Sequence, residues 1–364
     1  MKLWHIILLV IAGIAFGDAE PGKLTYAFGH ATLDVLLPAL LFEAAWNLRY
    51  RAMLRGWRAI VVLAVPGVLL TALLIAGALA VVHVPLATGL LAGAILSATD
   101  PIAVVAVFRR MRVPSLLSTI VECESLFNDA VAVALYRAVL LAVLAGSITY
   151  ADAARISVVA LGGAAGGIAI GVGIAFLAAA ALRNRSRIEV QLAATLVCAF
   201  GAYYLANRLD CSGIFATIAC GIGLRSFERS WISVQVVEDV NRFWDLAALV
   251  ANGLVFFLVG AALDIRIVAQ NPVFVIATLA GVFVARMAVT GLLLPSGYPR
   301  EWLDVVRVAG MRGALSLALA VALPVAVAQR EAIIGATFAV ALATIISSGL
   351  TVPPAVARAA RPNG

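Results

Sequence analysis

Glu124-Ser125-Leu126-Phe127-Asn128-Asp129 sits inside an apolar run that continues as Ala130-Val131-Ala132-Val133-Ala134-Leu135-Tyr136. The chain around it is 64% hydrophobic, so the run reads as a membrane helix with polar groups near its middle. A carboxylate at that depth is costly, and such residues are rare and usually functional. Each helical residue turns by about 100°, so Ser125 and Asp129 share one face and Glu124 and Asn128 the next. One side offers a hydroxyl and a carboxylate, the other a carboxylate and an amide. These oxygens suit a hard cation or a proton. The same groups would also serve to lock two helices together by hydrogen bonds.

Only 12% of the 364 residues are charged, and the mean hydropathy is +1.08. A soluble chain of this size could not hide that much apolar surface, so the class is an all-α polytopic membrane protein lying in a lipid bilayer. Cys123, Cys198, Cys211 and Cys220 fall in apolar runs without paired spacing or histidine partners, and His5, His30 and His83 are scattered. Neither a disulfide framework nor a zinc site is expected, and no cofactor. The formal charge is +7, but the basic residues gather in loops, which signals topology rather than nucleic-acid binding. The first apolar run, 3–16, lacks a small-residue cleavage site, so it reads as a retained span. No soluble domain is expected after the last run.

A spanning helix needs about 20 apolar residues. On that ruler twelve stretches qualify: 3–18, 27–46, 58–82, 86–108, 116–144, 155–182, 188–206, 211–225, 243–263, 271–294, 302–323 and 331–352. Residues 1–364 are thus expected to form a single membrane domain. A first half covers about 1–144, a linker helix 155–182, and a second half 188–352. Arginines crowd the even-numbered loops (Arg49, Arg51, Arg55 and Arg58; Arg109, Arg110 and Arg112; Arg183, Arg185 and Arg187; Arg225, Arg229 and Arg242) and the tail (Arg358 and Arg361). Lys23, Arg155, Arg208, Arg266 and Arg330 on the odd side are mostly offset by nearby acids. The positive-inside bias puts both termini in the cytoplasm of a cell (inner) membrane protein. The stretch 226–242 reads as a linker between the halves with interfacial character.

Further polar groups mark the spans. The second carries Asp34 and Glu43, the latter near the cytoplasmic end. The fourth holds Thr99-Asp100-Pro101 at its centre, where proline removes a backbone donor and disrupts the helix. In lipid an interrupted helix survives only where it lines a cavity or is buried in protein, and such breaks point to a transporter's binding site. The tenth span holds Arg286, which needs an acidic partner; Glu124, Glu122 and Asp100 are the candidates. The eleventh holds Gly310-Met311-Arg312-Gly313, a second interruption whose arginine could neutralise exposed carbonyls at a half-helix end. Breaks in opposite halves are what an inverted-repeat transporter predicts.

Taken together, Thr99-Asp100-Pro101, Glu124 to Asp129, Asn252-Gly253-Leu254-Val255-Phe256-Phe257-Leu258-Val259-Gly260, Arg286 and Gly310 to Ser316 resemble the monovalent cation:proton antiporter-1 family over nearly the whole chain. The resemblance implies a fold of thirteen helices in two inverted six-helix repeats, with two discontinuous helices crossing in a core domain beside a dimerisation domain. It implies that Asp129 is the essential ion-binding carboxylate, with Asn128, Ser125, Thr99 and Asp100 at the ion site. Glu124 and Arg286 would form a structural ion pair, Arg312 would compensate helix ends, and Glu43 would lie near the cytoplasmic entrance. The chain begins where the family's second helix is expected, so the resemblance implies an absent first helix, one that contributes to the family's homodimer contact.

The expected activity is exchange of Na⁺ or Li⁺ for H⁺, electroneutral given the Asn-Asp pair, through competition at Asp129. A K⁺/H⁺ antiporter is the nearer alternative. An intramembrane enzyme using Asp100 and Asp129 as a dyad is the more distant one, since no catalytic signature accompanies them.

Overall fold

The computed structural model describes residues 3–17, 32–111, 113–145, 150–182, 187–227, 234–261, 265–294 and 297–360. In chain order, α1 is Leu3–Gly17, and a π-helical turn Thr32–Leu36 leads into α2, Leu37–Asn47. There follow α3 (Tyr50–Ala64), α4 (Pro66–Val81), α5 (Leu86–Ser97), α6 (Ile102–Met111), α7 (Ser115–Ala145) and α8 (Tyr150–Leu182). Next come α9 (Ile188–Arg208), α10 (Gly213–Phe227), α11 (Val234–Ala261), α12 (Ile265–Gln270) and α13 (Pro272–Leu293). The last three are α14 (Arg300–Val308), α15 (Ala314–Val321) and α16 (Arg330–Ala359).

Each apolar stretch found in the sequence contains, among the described residues, a helix or a broken pair of helices. Among the described residues, six segments are long and apolar enough to cross a membrane: Tyr50–Val81, Ser115–Ala145, Leu161–Leu182, Ile188–Arg208, Pro272–Leu293 and Arg330–Ala359. The broken pairs are a different case. At about 1.5 Å per residue, the 12 residues of α5 reach about 18 Å, little more than half of a hydrocarbon core of about 30 Å. Their ends therefore lie at membrane depth.

The stretch 226–242 is more regular than expected. From Val234 onward it is the first part of α11, continuous with the ninth apolar stretch. Val237, Val240 and Trp244 are all buried, three and four residues apart, so their spacing belongs to a packed helix face rather than to a membrane-surface linker. Trp231 and Ile232 lie outside the described residues.

Two compact units divide the chain, and neither is contiguous. One contains 1–30, 51–148 and 255–364; the other contains 31–50 and 149–254. The first unit packs α4 on α5 and α13, α5 on α7, and α16 on α13, α14, α15 and α6. The α4–α5 contact is close because Gly93 has no side chain: a methyl group there would come within 2.4 Å of the Ala72 carbonyl oxygen. The second unit packs α10 against α8, α9 and α2. Its core holds Phe42, Trp46, Trp244, Cys198 and Cys220. The indole N–H groups are satisfied, Trp46 donating to Asn241 Oδ1 at 2.7 Å and Trp244 to Thr195 Oγ1 at 3.1 Å.

Candidate functional site

The site belongs to the first unit and is built on the two helix breaks. Residues 98–101 interrupt α5 and α6, and residues 309–313 interrupt α14 and α15. The interruptions run antiparallel, and the Asp100 amide donates to the Met311 carbonyl at 2.9 Å. Two helix C-termini, at Ala98 and Ala309, and two N-termini, at Pro101 and Gly313, are therefore brought to the same region. C-terminal ends carry partial negative charge and N-terminal ends partial positive charge. Arg312 and Asp100 answer the two kinds. Arg312, which is 2% exposed, donates from Nη1 to the Ala98 carbonyl at 3.4 Å, and Ser316 Oγ donates to the same oxygen at 3.3 Å.

The glycines around Arg312 have steric reasons. A methyl group at Gly313 would lie 2.2 Å from Asp100 Cβ and 2.3 Å from its Oδ2. The backbone there (φ −119°, ψ −159°) is open to any residue, so packing against Asp100 selects glycine. Gly313→Ala is expected to destabilise the protein by about 1–3 kcal/mol, the usual cost of overpacking. Thermal unfolding in detergent checks this, and an unchanged midpoint would mean that Asp100 moves aside freely. Gly310 in turn lies under Arg286, where a methyl group would meet Nε at 2.5 Å.

The polar stretch of α7 faces these breaks. Ser125 Oγ donates to the Thr99 carbonyl, and Asn128 Nδ2 lies 3.4 Å from Thr99 Oγ1 and 3.5 Å from Glu124 Oε1. Thr99, Glu124, Ser125 and Asn128 are buried. Asp129 is half-buried as a residue, yet its Oδ1 is out of contact with solvent and has no hydrogen-bond partner among the described residues. Asn128 Oδ1 and Arg312 Nε share that condition. Asp100 and Arg312 are the charged neighbours of Asp129. Unsatisfied buried polar atoms are scarce in folded proteins, and each needs an explanation. Two unpartnered oxygens, Asn128 Oδ1 and Asp129 Oδ1, are thus carried by the stretch of α7 that Ser125 and Asn128 tie to Thr99, and uncompensated oxygens suit a hard cation.

Of the three candidate partners for Arg286, Glu124 takes it. Nη1 reaches Oε1 at 2.5 Å and Nη2 reaches Oε2 at 3.4 Å, with side chains 12% and 3% exposed. The same guanidinium donates to two carbonyls released at the end of α14, those of Val306 and of Arg307, the latter at 3.2 Å. Glu122 instead accepts from Ser118 at 2.5 Å. The structure thus gathers Thr99, Asp100, Glu124, Ser125, Asn128, Asp129, Arg286 and Arg312 in one unit. Glu43 belongs to the other unit, on α2, where Asn47 donates to it at 2.7 Å.

Arg330 has a local role as well. Counted in the sequence as a loop charge, it donates to the Leu323 carbonyl at 2.7 Å and the Val321 carbonyl at 3.1 Å, closing the C-terminal end of α15. Thr344 and Ser348 on α16 went unnoticed in the sequence. The Thr344 hydroxyl accepts from the Arg312 amide at 3.0 Å, and Ser348 Oγ donates to the Val308 carbonyl at 2.8 Å.

The model of a family described as sodium/hydrogen exchanger, transmembrane, matches residues 1–358. The low-affinity Na⁺/H⁺ antiporter NhaS1 of Synechocystis sp. is 32% identical, over 96% of this chain and 68% of that relative. The Na⁺/H⁺ antiporter ApNhaP of Aphanothece halophytica is also 32% identical, over 95% and 68%. Among solved structures, the sodium proton antiporter MjNhaP1 from Methanocaldococcus jannaschii at pH 8 superposes with a TM-score of 0.80. It shares 23% identity and covers 98% of this chain and 91% of its own. That likeness gives the fold. Family and relatives are transporters, which sets aside the two-aspartate enzyme. Two broken helices crossing beside an Asn-Asp pair, together with a family match along almost the full length of the chain, make this chain a member of the sodium/hydrogen exchanger family of membrane transporters.

Proposed function

We propose that the chain is a secondary active antiporter exchanging Na⁺ or Li⁺ for H⁺, one for one, by competition at Asp129. The observation that carries this reading is Asp129 Oδ1, buried and unpartnered among the described residues, on the stretch of α7 that Ser125 and Asn128 tie to Thr99. A carboxylate in such surroundings is neutralised by a proton or by a cation, and each excludes the other. Alternating exposure of one such site to the two sides then couples the fluxes. Asn128 beside Asp129, in place of a second carboxylate, leaves one exchangeable charge per cycle. Asp100 and Arg312 hold the crossing, and the Glu124–Arg286 pair fixes α7 to α13. Glu43 stands at the cytoplasmic approach. The arginine distribution supports cytoplasmic termini in a cell membrane, and the relatives' names support Na⁺ as the cargo. The working assembly is a homodimer.

The test is proton flux in proteoliposomes containing a pH-sensitive dye, with membrane potential clamped by K⁺ and valinomycin. Adding Na⁺ or Li⁺ is expected to alkalinise or acidify the lumen according to the gradient, at a rate independent of the clamped potential. A potential-dependent rate would overturn one-for-one exchange. A response to K⁺ alone would replace the cargo, and no cation response from folded protein would end the antiporter reading.

A further inference from the structure

A break inside a membrane helix frees backbone groups that lipid cannot satisfy. Around residues 306–312 the partners of these groups come from three elements. The Val306 and Arg307 carbonyls accept from Arg286, and the Met311 carbonyl accepts from the Asp100 amide. Two more are met from α16: the Val308 carbonyl by Ser348 and the Arg312 amide by Thr344. Thr344 and Ser348 are four apart, one turn on the same face. The Thr344 hydroxyl donates its own proton to the Ala341 carbonyl at 3.1 Å, which leaves its oxygen as the acceptor for Arg312.

From there the connection to the site is short. The Arg312 side chain reaches the Ala98 carbonyl, and the next residue, Thr99, supplies the carbonyl held by Ser125 and the hydroxyl beside Asn128. We propose that Thr344 and Ser348 are positioning residues, a hydroxyl clasp on α16 that fixes the distance between the two helix breaks and so sets the cation preference of the site. The inference rests on the antiporter reading above. The hydrogen bonds of both to the break are to backbone groups, of Val308 and Arg312, through which they act.

Thr344→Val keeps the side chain's size and removes the acceptor. It is expected to raise the apparent KM for Na⁺ about tenfold, the scale of one lost buried hydrogen bond. The ratio of Li⁺ to Na⁺ affinity should change with it, because the smaller ion is more sensitive to the spacing of the oxygens. The maximal rate should stay within about twofold of wild type, because the proton-carrying group is intact. Thr344→Ser should restore both constants, and Ser348→Ala should reproduce the KM change on a smaller scale. A second readout, stabilisation of detergent-solubilised protein by Na⁺ against choline in thermal unfolding, follows binding without transport.

A Thr344→Val protein with wild-type KM and Li⁺/Na⁺ ratio overturns the clasp. So does a loss confined to the maximal rate, or failure of Thr344→Ser to restore. Should Thr344→Val not fold, an unchanged KM in Ser348→Ala overturns it instead. Absence of both flux and Na⁺-dependent stabilisation in the wild-type protein would remove the antiporter reading itself, an outcome separable from each of these.

Discussion

Asp129→Asn is expected to abolish cation-driven proton flux while leaving a folded protein. The side chain keeps its size and its place on α7, so the packing of buried Ala130, Ala132 and Val133 around it is undisturbed. What disappears is the only feature that lets one group accept either cargo. An amide carries no proton in exchange for a cation, and its oxygen presents a dipole where a full charge stood. Loss of transport should reach background, a far larger effect than removal of a single hydrogen bond. Retained exchange at even a tenth of the wild-type rate would assign the proton to another group, of which Asp100 is the neighbouring candidate. Na⁺-dependent thermal stabilisation should vanish in the same variant. Its overall unfolding temperature should stay close to wild type, because the amide keeps the size of the carboxyl group and its place on α7.

Much of this site was legible in the sequence because its residues break local rules. Pro101 cannot sit inside a helix without cost, and Gly310 and Gly313 flank an arginine where an apolar run should continue. Each is an anomaly against the hydrophobic background, and the structure puts a helix break at both. The pairing of Arg286 was only partly legible. Three acids had suitable depth, and spacing along separate helices cannot rank contacts between them. The hydroxyl groups of α16 were not legible at all. Threonine and serine in membrane helices usually return their protons to a carbonyl of the preceding turn, as Thr278, Thr290 and Thr337 do at 2.7 Å. Nothing in sequence separates Thr344 and Ser348 from these, because the difference lies in which helix crosses beside them. The partners of Arg330 were not legible either. A charge just outside an apolar run scores as topology, although its reach allows it to turn back onto the carbonyls at the end of α15.

Glu124→Ala is expected to damage stability rather than chemistry. The pair it forms with Arg286 is buried on both sides, and the guanidinium would be left with carbonyl partners and no counter-charge. Removing one member of a buried pair costs about 3–5 kcal/mol in soluble cores, chiefly from the charge left behind. That origin makes a second, sharper expectation. If the uncompensated charge carries the loss, Glu124→Gln with Arg286→Met should be less destabilising than the sum of the single changes, a coupling of about 1–3 kcal/mol in a double-mutant cycle. The double variant should still fall short of wild type, because Arg286 also holds the Val306 and Arg307 carbonyls at the end of α14. Thermal unfolding of the four proteins in one detergent measures both quantities. Additive losses would mean that the two residues stabilise separate parts of the fold. A Glu124→Ala protein as stable as its parent would mean that the carbonyls alone suffice to hold a buried guanidinium. Asp129→Asn and Glu124→Ala, five residues apart on one helix, should thus fail in opposite ways: one folded and inert, the other losing transport only as far as it loses its fold.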